Sequence, residues 1–258
     1  MINAIRADFY RLFHTKGFYI TQISLIALVV LVVLTQALGS TGVSSEQLTQ
    51  LQHGFYDSRW NGYQTVIAIS SMASFLIYFC LPLFTMIIGH DLTKKTYKNQ
   101  LAIGVSRLYF FVSKYLIFLL ISALQFAFYY IFTFLAGIVR YGLGTPPENF
   151  WSNILRTFGI QFLSLQALFA IALLLLCLAF SNVFAIIGVI ISGLVLSIPQ
   201  AVFPKVEWVK YLDFQSNINL AWVTNVPEHY WLKTTVTAVC FTIILAILAY
   251  QSLRKRDL

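Results

Sequence analysis

The sequence predicts an all-α integral membrane protein that crosses the bilayer six times, and three observations predict it. Of 258 residues, 59% are hydrophobic and only 10% are charged, where a soluble domain carries about 25% charged. Five stretches contain no Asp, Glu, Lys or Arg: Gly17–Ser45, Trp60–Gly89, Tyr115–Val139, Thr157–Pro204 and Thr234–Leu253. Each reaches the roughly 20 residues that a helix needs to cross about 30 Å of hydrocarbon. The fourth is long enough for two crossings and breaks at Phe180-Ser181-Asn182, the polar interruption near its middle.

Along the chain, residues 1–16 place Ile2, Ile5, Phe9, Leu12 and Phe13 at helical spacing with Arg6, Arg11 and Lys16 among them. That pattern fits a basic amphipathic helix lying along the membrane surface. The six spanning helices are expected at about 17–39, 66–90, 108–139, 157–180, 183–203 and 232–252, in one membrane domain covering 1–258. The first apolar run is longer than a signal-peptide core and no small-residue cleavage pattern follows it, so it reads as a retained helix. Between spans, Ser44–Gln50 is a polar run expected to form a short helix with an N-cap serine. Pro146-Pro147 mark a loop. Residues 205–231 carry Trp208, Tyr211, Phe214, Trp222, Tyr230 and Trp231, an aromatic enrichment typical of the membrane–water boundary.

Charge predicts the orientation. With the N-terminus inside, the inner segments hold eleven of the 17 basic residues (Arg6, Arg11, Lys16, Lys94, Lys95, Lys98, Arg107, Lys114, Arg254, Lys255, Arg256) and three of the nine acidic ones. Net charge is 11 − 3 = +8 inside and 6 − 6 = 0 outside, as the positive-inside rule requires of two cytoplasmic termini. The basic balance is thus a topology signal, and no nucleic-acid partner is expected.

Some chemistries lack their parts. No ionisable residue stands well inside a span; His90 and Asp91 sit at the end of the second. Proton relays and intramembrane proteases place carboxylates or histidines at depth. No phosphate-cradling Gly-x-x-x-x-Gly-Lys-Ser/Thr loop is present, so the chain is not expected to be an enzyme by itself. Cys80, Cys177 and Cys240 lie inside spans at no metal-ligand spacing, so no metal site is expected and packing is their reading. The polarity within the spans is uncharged: Ser70, Ser71 and Ser74 on the second helix, Gln125 on the third, Gln161 and Gln166 on the fourth. These suit helix–helix hydrogen bonding or, alternatively, a polar lining for a substrate path.

The longest inner loop runs from His90 to Arg107. Leu92, Thr96, Asn99 and Ile103 recur at three- and four-residue steps, as in a short surface helix, and Gly104 follows as a stop. The segment Asp91 … Lys95-Thr96-Tyr97-Lys98-Asn99-Gln100-Leu101-Ala102-Ile103-Gly104-Val105-Ser106-Arg107 resembles the loop after the second helix in ATP-binding-cassette (ABC) exporter permeases of the second type. There an acidic residue precedes Gly-Thr-x-Lys-Asn-x-Leu-Ala-x-Gly-x-Ser-Arg; here Lys95 stands where glycine is common. Residues 1–16, ending near Lys16-Gly17-Phe18-Tyr19, resemble that family's elbow helix, and Leu253-Arg254-Lys255-Arg256-Asp257-Leu258 its basic C-terminus. The short outer loops are similar to the subgroup serving bacterial peptide export and lantibiotic or bacteriocin immunity.

The resemblance implies a bacterial cytoplasmic membrane and separate ATPase subunits, which would carry ATP and Mg, with no cofactor bound by this chain. It also implies a second permease subunit, identical or related, enclosing the path, with lipid around it. In that reading Asp91–Arg107 is a coupling helix. Asp91 anchors it, Thr96 and Asn99 contact the ATPase, Lys94, Lys95, Lys98 and Arg107 steer it, and Gly104 and Ser106 shape its end. The expected cargo is a hydrophobic or amphipathic molecule such as a peptide. The alternative is an accessory or scaffold membrane protein that binds a cytoplasmic partner without transport.

Overall fold

The computed structural model describes residues 2–41, 46–56, 59–102, 104–202, 206–222 and 229–255. Among these residues the structure is helical with no strand, and six helices are long and apolar enough to cross a membrane.

The chain begins with α1 (Ile2–Phe13), then α2 (Lys16–Thr35), the first span. Gln36 closes α2 in the left-handed conformation and returns its N–H to Val32 O. α3 (Glu46–Tyr56) is a short helix between spans; the serine expected to cap it lies outside the described residues. The second crossing is the least regular. α4 (Gly62–Ser70), started by the Asn61 side chain accepting from Gln64 N, stops at Ser71-Met72. A 3-10 turn at Ala73–Phe75 leads into α5 (Leu76–Phe84), a π-helical turn (Thr85–Gly89) and α6 (His90–Thr93). The single helix expected over 66–90 is therefore broken near its start. The spanning segment runs Ala73–Thr93, with Pro82 inside α5 removing one backbone donor just before the π turn.

α7 (Tyr97–Ala102) is the short helix of the following loop, and α8 (Arg107–Tyr141) the third span, capped by the Ser106 hydroxyl accepting from Tyr109 N. α9 (Phe150–Ala179) begins seven residues before the expected 157. The reason is that Arg156, a charge taken as a boundary, lies along the helix with its guanidinium over the Trp231 ring. Phe180, left-handed at φ 50°, makes the tight turn into α10 (Asn182–Val202). A 3-10 turn (Glu207–Leu212) and α11 (Phe214–Leu220) precede α12 (Tyr230–Lys255), the sixth span.

Two helices organise the bundle. α9 packs along α10, α11 and α12, while α8 packs along α2 and α4. They are joined through the buried rings of Phe84, Phe118 and Phe169, whose centroids stand 4.9–5.4 Å apart. α2, α10 and α12 leave wide apolar surfaces uncovered, including Ile20, Ile23, Ile190, Leu194, Ile243 and Ile247. Such surfaces suit lipid, which is as apolar as they are. Cys80 and Cys177 are buried, whereas Cys240 is exposed on α12.

The 205–231 segment does more than line a membrane boundary. Trp208 is exposed, but Phe214, Tyr211, Trp222 and Tyr230 are buried. α11 sits against α9 and the 3-10 turn at 73–75, plugging the break in the second crossing.

Candidate functional site

The helix α1 and the end of α12 lie at one end of the bundle, together with α6, α7 and the 180–182 turn. Arg107 Nη1 donates to Arg254 O at 2.5 Å. Tyr97, on α7, places its ring 5.8 Å from Phe180 and 6.2 Å from Phe110. A Cβ on Gly89 would meet Asn182 Oδ1 at 2.2 Å, so any larger residue there would displace the Asn182 side chain.

Beneath the loop is a compact cluster of four charges. Asp91, 1% exposed, is delivered by α6 as it continues the second span. α1 presents Asp8 and Arg11, three residues apart and so on one helix face. Lys114, 3% exposed, comes from the second turn of α8. Its Nζ donates to both oxygens of Asp8 at 2.6 Å and stands 2.5 Å from Asp91 Oδ2. Arg11 Nη1 donates to Asp91 Oδ1 at 2.7 Å, and its Nη2 lies 3.4 Å from Asp8. Two cations and two carboxylates give zero net charge, the condition under which a buried ionic group is tolerable. Burial works against the charge on Arg11, but its hydrogen bond to Asp91 and the fields of Asp91 and Asp8 outweigh this and raise its pKa above the usual value.

The cluster also repairs the backbone. In the π turn the N–H of His90 bonds Thr85 O, five residues back, and so bypasses Met86 O, its α-helical acceptor. Arg11 Nη2 donates to Met86 O at 3.2 Å, supplying a donor that the wider turn withholds. π turns of this kind recur at functional positions.

Of the loop residues singled out in the sequence, Asp91 occupies the centre of the cluster. Thr96 turns inward, its hydroxyl donating to Asp91 Oδ1 at 3.0 Å. Lys94, Lys95, Gly104 and Ser106 are exposed, while Lys98 and Arg107 are half-buried. Asn99 lies within α7, and Ile103 is outside the described residues. Lys95 adopts φ 57°, the left-handed region that glycine favours, so its substitution for the glycine of the resembling pattern falls at a turn that needs that conformation. Sequence reasoning placed Lys114 and Arg11 among the flanking charges and did not connect them to Asp91. The available signal was an acidic residue on each of two apolar segments, Asp8 and Asp91, with bases within helical reach.

The uncharged polar residues of the spans meet elsewhere, around the break in the second crossing. Gln161 Nε2 donates to Ser70 O at 3.1 Å and Ile218 O at 2.9 Å, while Tyr130 donates to Gln161 Oε1 at 2.5 Å. Asn219 accepts from Ser74 N at 3.1 Å and donates to Thr41 O, and the Ser74 hydroxyl accepts from Thr41 N. Tyr129 donates to Ile69 O at 2.8 Å. Ser70 and Ser71 return their hydroxyls to carbonyls of α4, and Gln52 donates to Ser71. These contacts satisfy backbone groups that the break exposes, which hydrocarbon cannot do. Gln166 ties α9 to Ser122 on α8 at 2.8 Å, and Gln125 accepts from Gln22 on α2 at 2.7 Å. Gln161 and Gln166 bond from helix to helix, Ser71 and Ser74 accept from Gln52 and from Thr41 N, and the Ser70 hydroxyl stays on its own helix; Gln125 lines a groove.

The fold and its buried charges define a multi-pass α-helical membrane protein whose loop face is locked by an ionic cluster. The chain belongs to the DUF2705 family, described as a protein of unknown function, whose profile matches residues 25–258. No curated protein matches the chain, and no solved structure does.

Proposed function

We propose that this chain is the membrane-spanning permease subunit of an ATP-driven ABC exporter in a bacterial cytoplasmic membrane, with both termini cytoplasmic. The observation that supports this reading best is the four-charge cluster under the 91–107 loop. A loop that only filled space would need no buried ion pairs. This one is fastened through Asp91 and Thr96 to α1, to the second span and, through Lys114, to the third. A push on α7 is therefore transmitted to two spans and the N-terminal helix together, because ionic and hydrogen-bonded contacts resist separation in a low-dielectric setting.

In this reading ATP and Mg are held by separate ATPase subunits docked beneath α1 and α7, and a second permease subunit completes the path. Lys94, Lys95 and Lys98 attract an acidic docking surface, while Thr96 fastens the loop internally. The cargo is a hydrophobic or amphipathic molecule such as a peptide, in keeping with spans that are aromatic and carry their few charges near their ends.

Co-purification from membranes tests the assignment. The chain should bring down a soluble ATPase and raise its turnover, and Lys94→Glu with Lys98→Glu should abolish both while leaving the thermal midpoint unchanged. Replacing Thr96 and Asn99 should uncouple turnover. Association that survives all of these variants sinks the coupling-loop assignment, and a partner without nucleotide turnover favours the scaffold reading.

A further inference from the structure

We propose that the groove between α1–α2 and α8 is a binding site for an uncharged hydrophobic peptide chain, which docks a backbone amide on Gln22 and Gln125. The groove has a volume of about 370 Å³ and is walled by the rings of Phe13, Phe18, Tyr19 and Phe128. That falls within the range of small-ligand sites. Gln22 and Gln125 also line it, and among the described residues no charged side chain does.

The amide pair carries the argument. Gln22 Nε2 donates to Gln125 Oε1 at 2.7 Å. Gln125 is 3% exposed, and its own Nε2 has no acceptor among the described residues. A buried donor left unmet costs about 1–3 kcal/mol, and in hydrocarbon water does not relieve it. The nitrogen is covered by its neighbours, so an acceptor meets it as the terminal amide tilts toward the groove. The pair thus offers a donor at one end and, on Gln22 Oε1, an acceptor at the other. A peptide group carries the complementary C=O and N–H.

Depth separates a peptide from a glycerolipid. Gln22 stands six residues past Lys16 at the start of α2, about 9 Å along the helix axis. Lipid esters lie at the boundary marked by such basic residues, and an acyl chain has no acceptor below them. A peptide carries acceptors through its whole hydrophobic body. The groove is also joined to the ionic cluster: Phe13 follows Arg11 by two residues on α1 and packs edge-on against Phe18 at 5.1 Å. The binding proposal rests on the groove's own geometry and stands whether or not an ATPase engages the loop.

The test uses the full-length protein in phosphatidylcholine nanodiscs, without any ATPase. The probe is an N-acetylated, C-amidated Leu/Ala octapeptide bearing a benzophenone; the control is benzophenone on a hexadecyl chain. Saturable peptide labelling within residues 13–22 and 121–128 is expected. Gln125→Leu should raise the half-saturating concentration about fivefold, the worth of one net hydrogen bond. Gln22→Leu should do likewise and serves as the readout should Gln125→Leu not fold. Leu124→Trp should fill the groove and abolish labelling. Equal labelling by the hexadecyl probe, insensitivity to both glutamine variants, or cross-linking of two copies through 121–128 would overturn the proposal. The first of these identifies a lipid-chain groove and the last a homodimer contact.

Discussion

Replacing Lys114 with methionine tests whether the ionic cluster holds the loop face together. The substitution keeps an unbranched apolar stem in α8 and removes only the ammonium group. In the native cluster that group touches Asp8 at 2.6 Å and Asp91 at 2.5 Å, and the residue is 3% exposed. Without it the cluster changes from 2 − 2 = 0 to 1 − 2 = −1. Arg11 stays bound to Asp91 at 2.7 Å but reaches Asp8 only at 3.4 Å, from a side chain that is 39% exposed. Breaking a buried pair by removing one partner costs about 3–5 kcal/mol. The remaining arginine places the expected loss near the lower bound, about 3 kcal/mol. For a chain of this size that is a fall in thermal midpoint of roughly 6–12 °C, measured in nanodiscs by intrinsic fluorescence. Asp8→Asn added to Lys114→Met should recover part of the loss by removing the stranded charge. A loss below about 1 kcal/mol, the worth of an exposed pair, would refute the buried-cluster reasoning.

Three further outcomes are expected. Lys95→Gly should stabilise the protein by about 0.5–1 kcal/mol, because φ 57° is strained for lysine and free for glycine; an unchanged midpoint would mean that the turn is not so constrained. Gln161→Leu should cost about 1–3 kcal/mol by stranding Ser70 O, Ile218 O and the Tyr130 hydroxyl, and should speed hydrogen exchange across 70–75 and 214–220. Asp213, at the start of α11, has its pKa raised by burial, although the Ser216 N–H and hydroxyl oppose the rise. Its contribution to stability is therefore full below the ordinary aspartate value of about 3.9 and is lost as pH rises through the higher folded-state value. Asp213→Asn should flatten that part of the pH–stability curve, and a curve identical to the parent's would count against it.

Particular residues show where legibility stopped. The Phe180–Asn182 turn could be read because a polar tripeptide in a long apolar run leaves few other places to reverse the chain. The break at Ser71-Met72 could not, since its cause is α11, more than 140 residues away, whose Asn219 takes over a backbone N–H near the break. The aromatic residues of 205–231 looked interfacial because composition reports apolarity but not what covers it. Ser70, Ser71, Ser74, Gln161 and Gln166 could be read as polar groups in need of partners; the tertiary structure gives Gln161, Gln166 and Ser71 partners on other helices, Ser74 one in the segment after α2, and the Ser70 hydroxyl one on its own helix.

By itself the sequence determined the class of this protein and its number of crossings, because hydrocarbon demands apolar runs of a fixed length whatever the neighbouring helices do. It also marked Asp91 and the loop after it as a polar feature at one end of the spans. Only the tertiary structure decided that Asp91 shares Lys114 with Asp8, a residue 106 positions from that lysine, and that Arg11 completes both the cluster and a π turn. Pairing between distant helices depends on their relative rotation and depth, which packing sets and local spacing does not record.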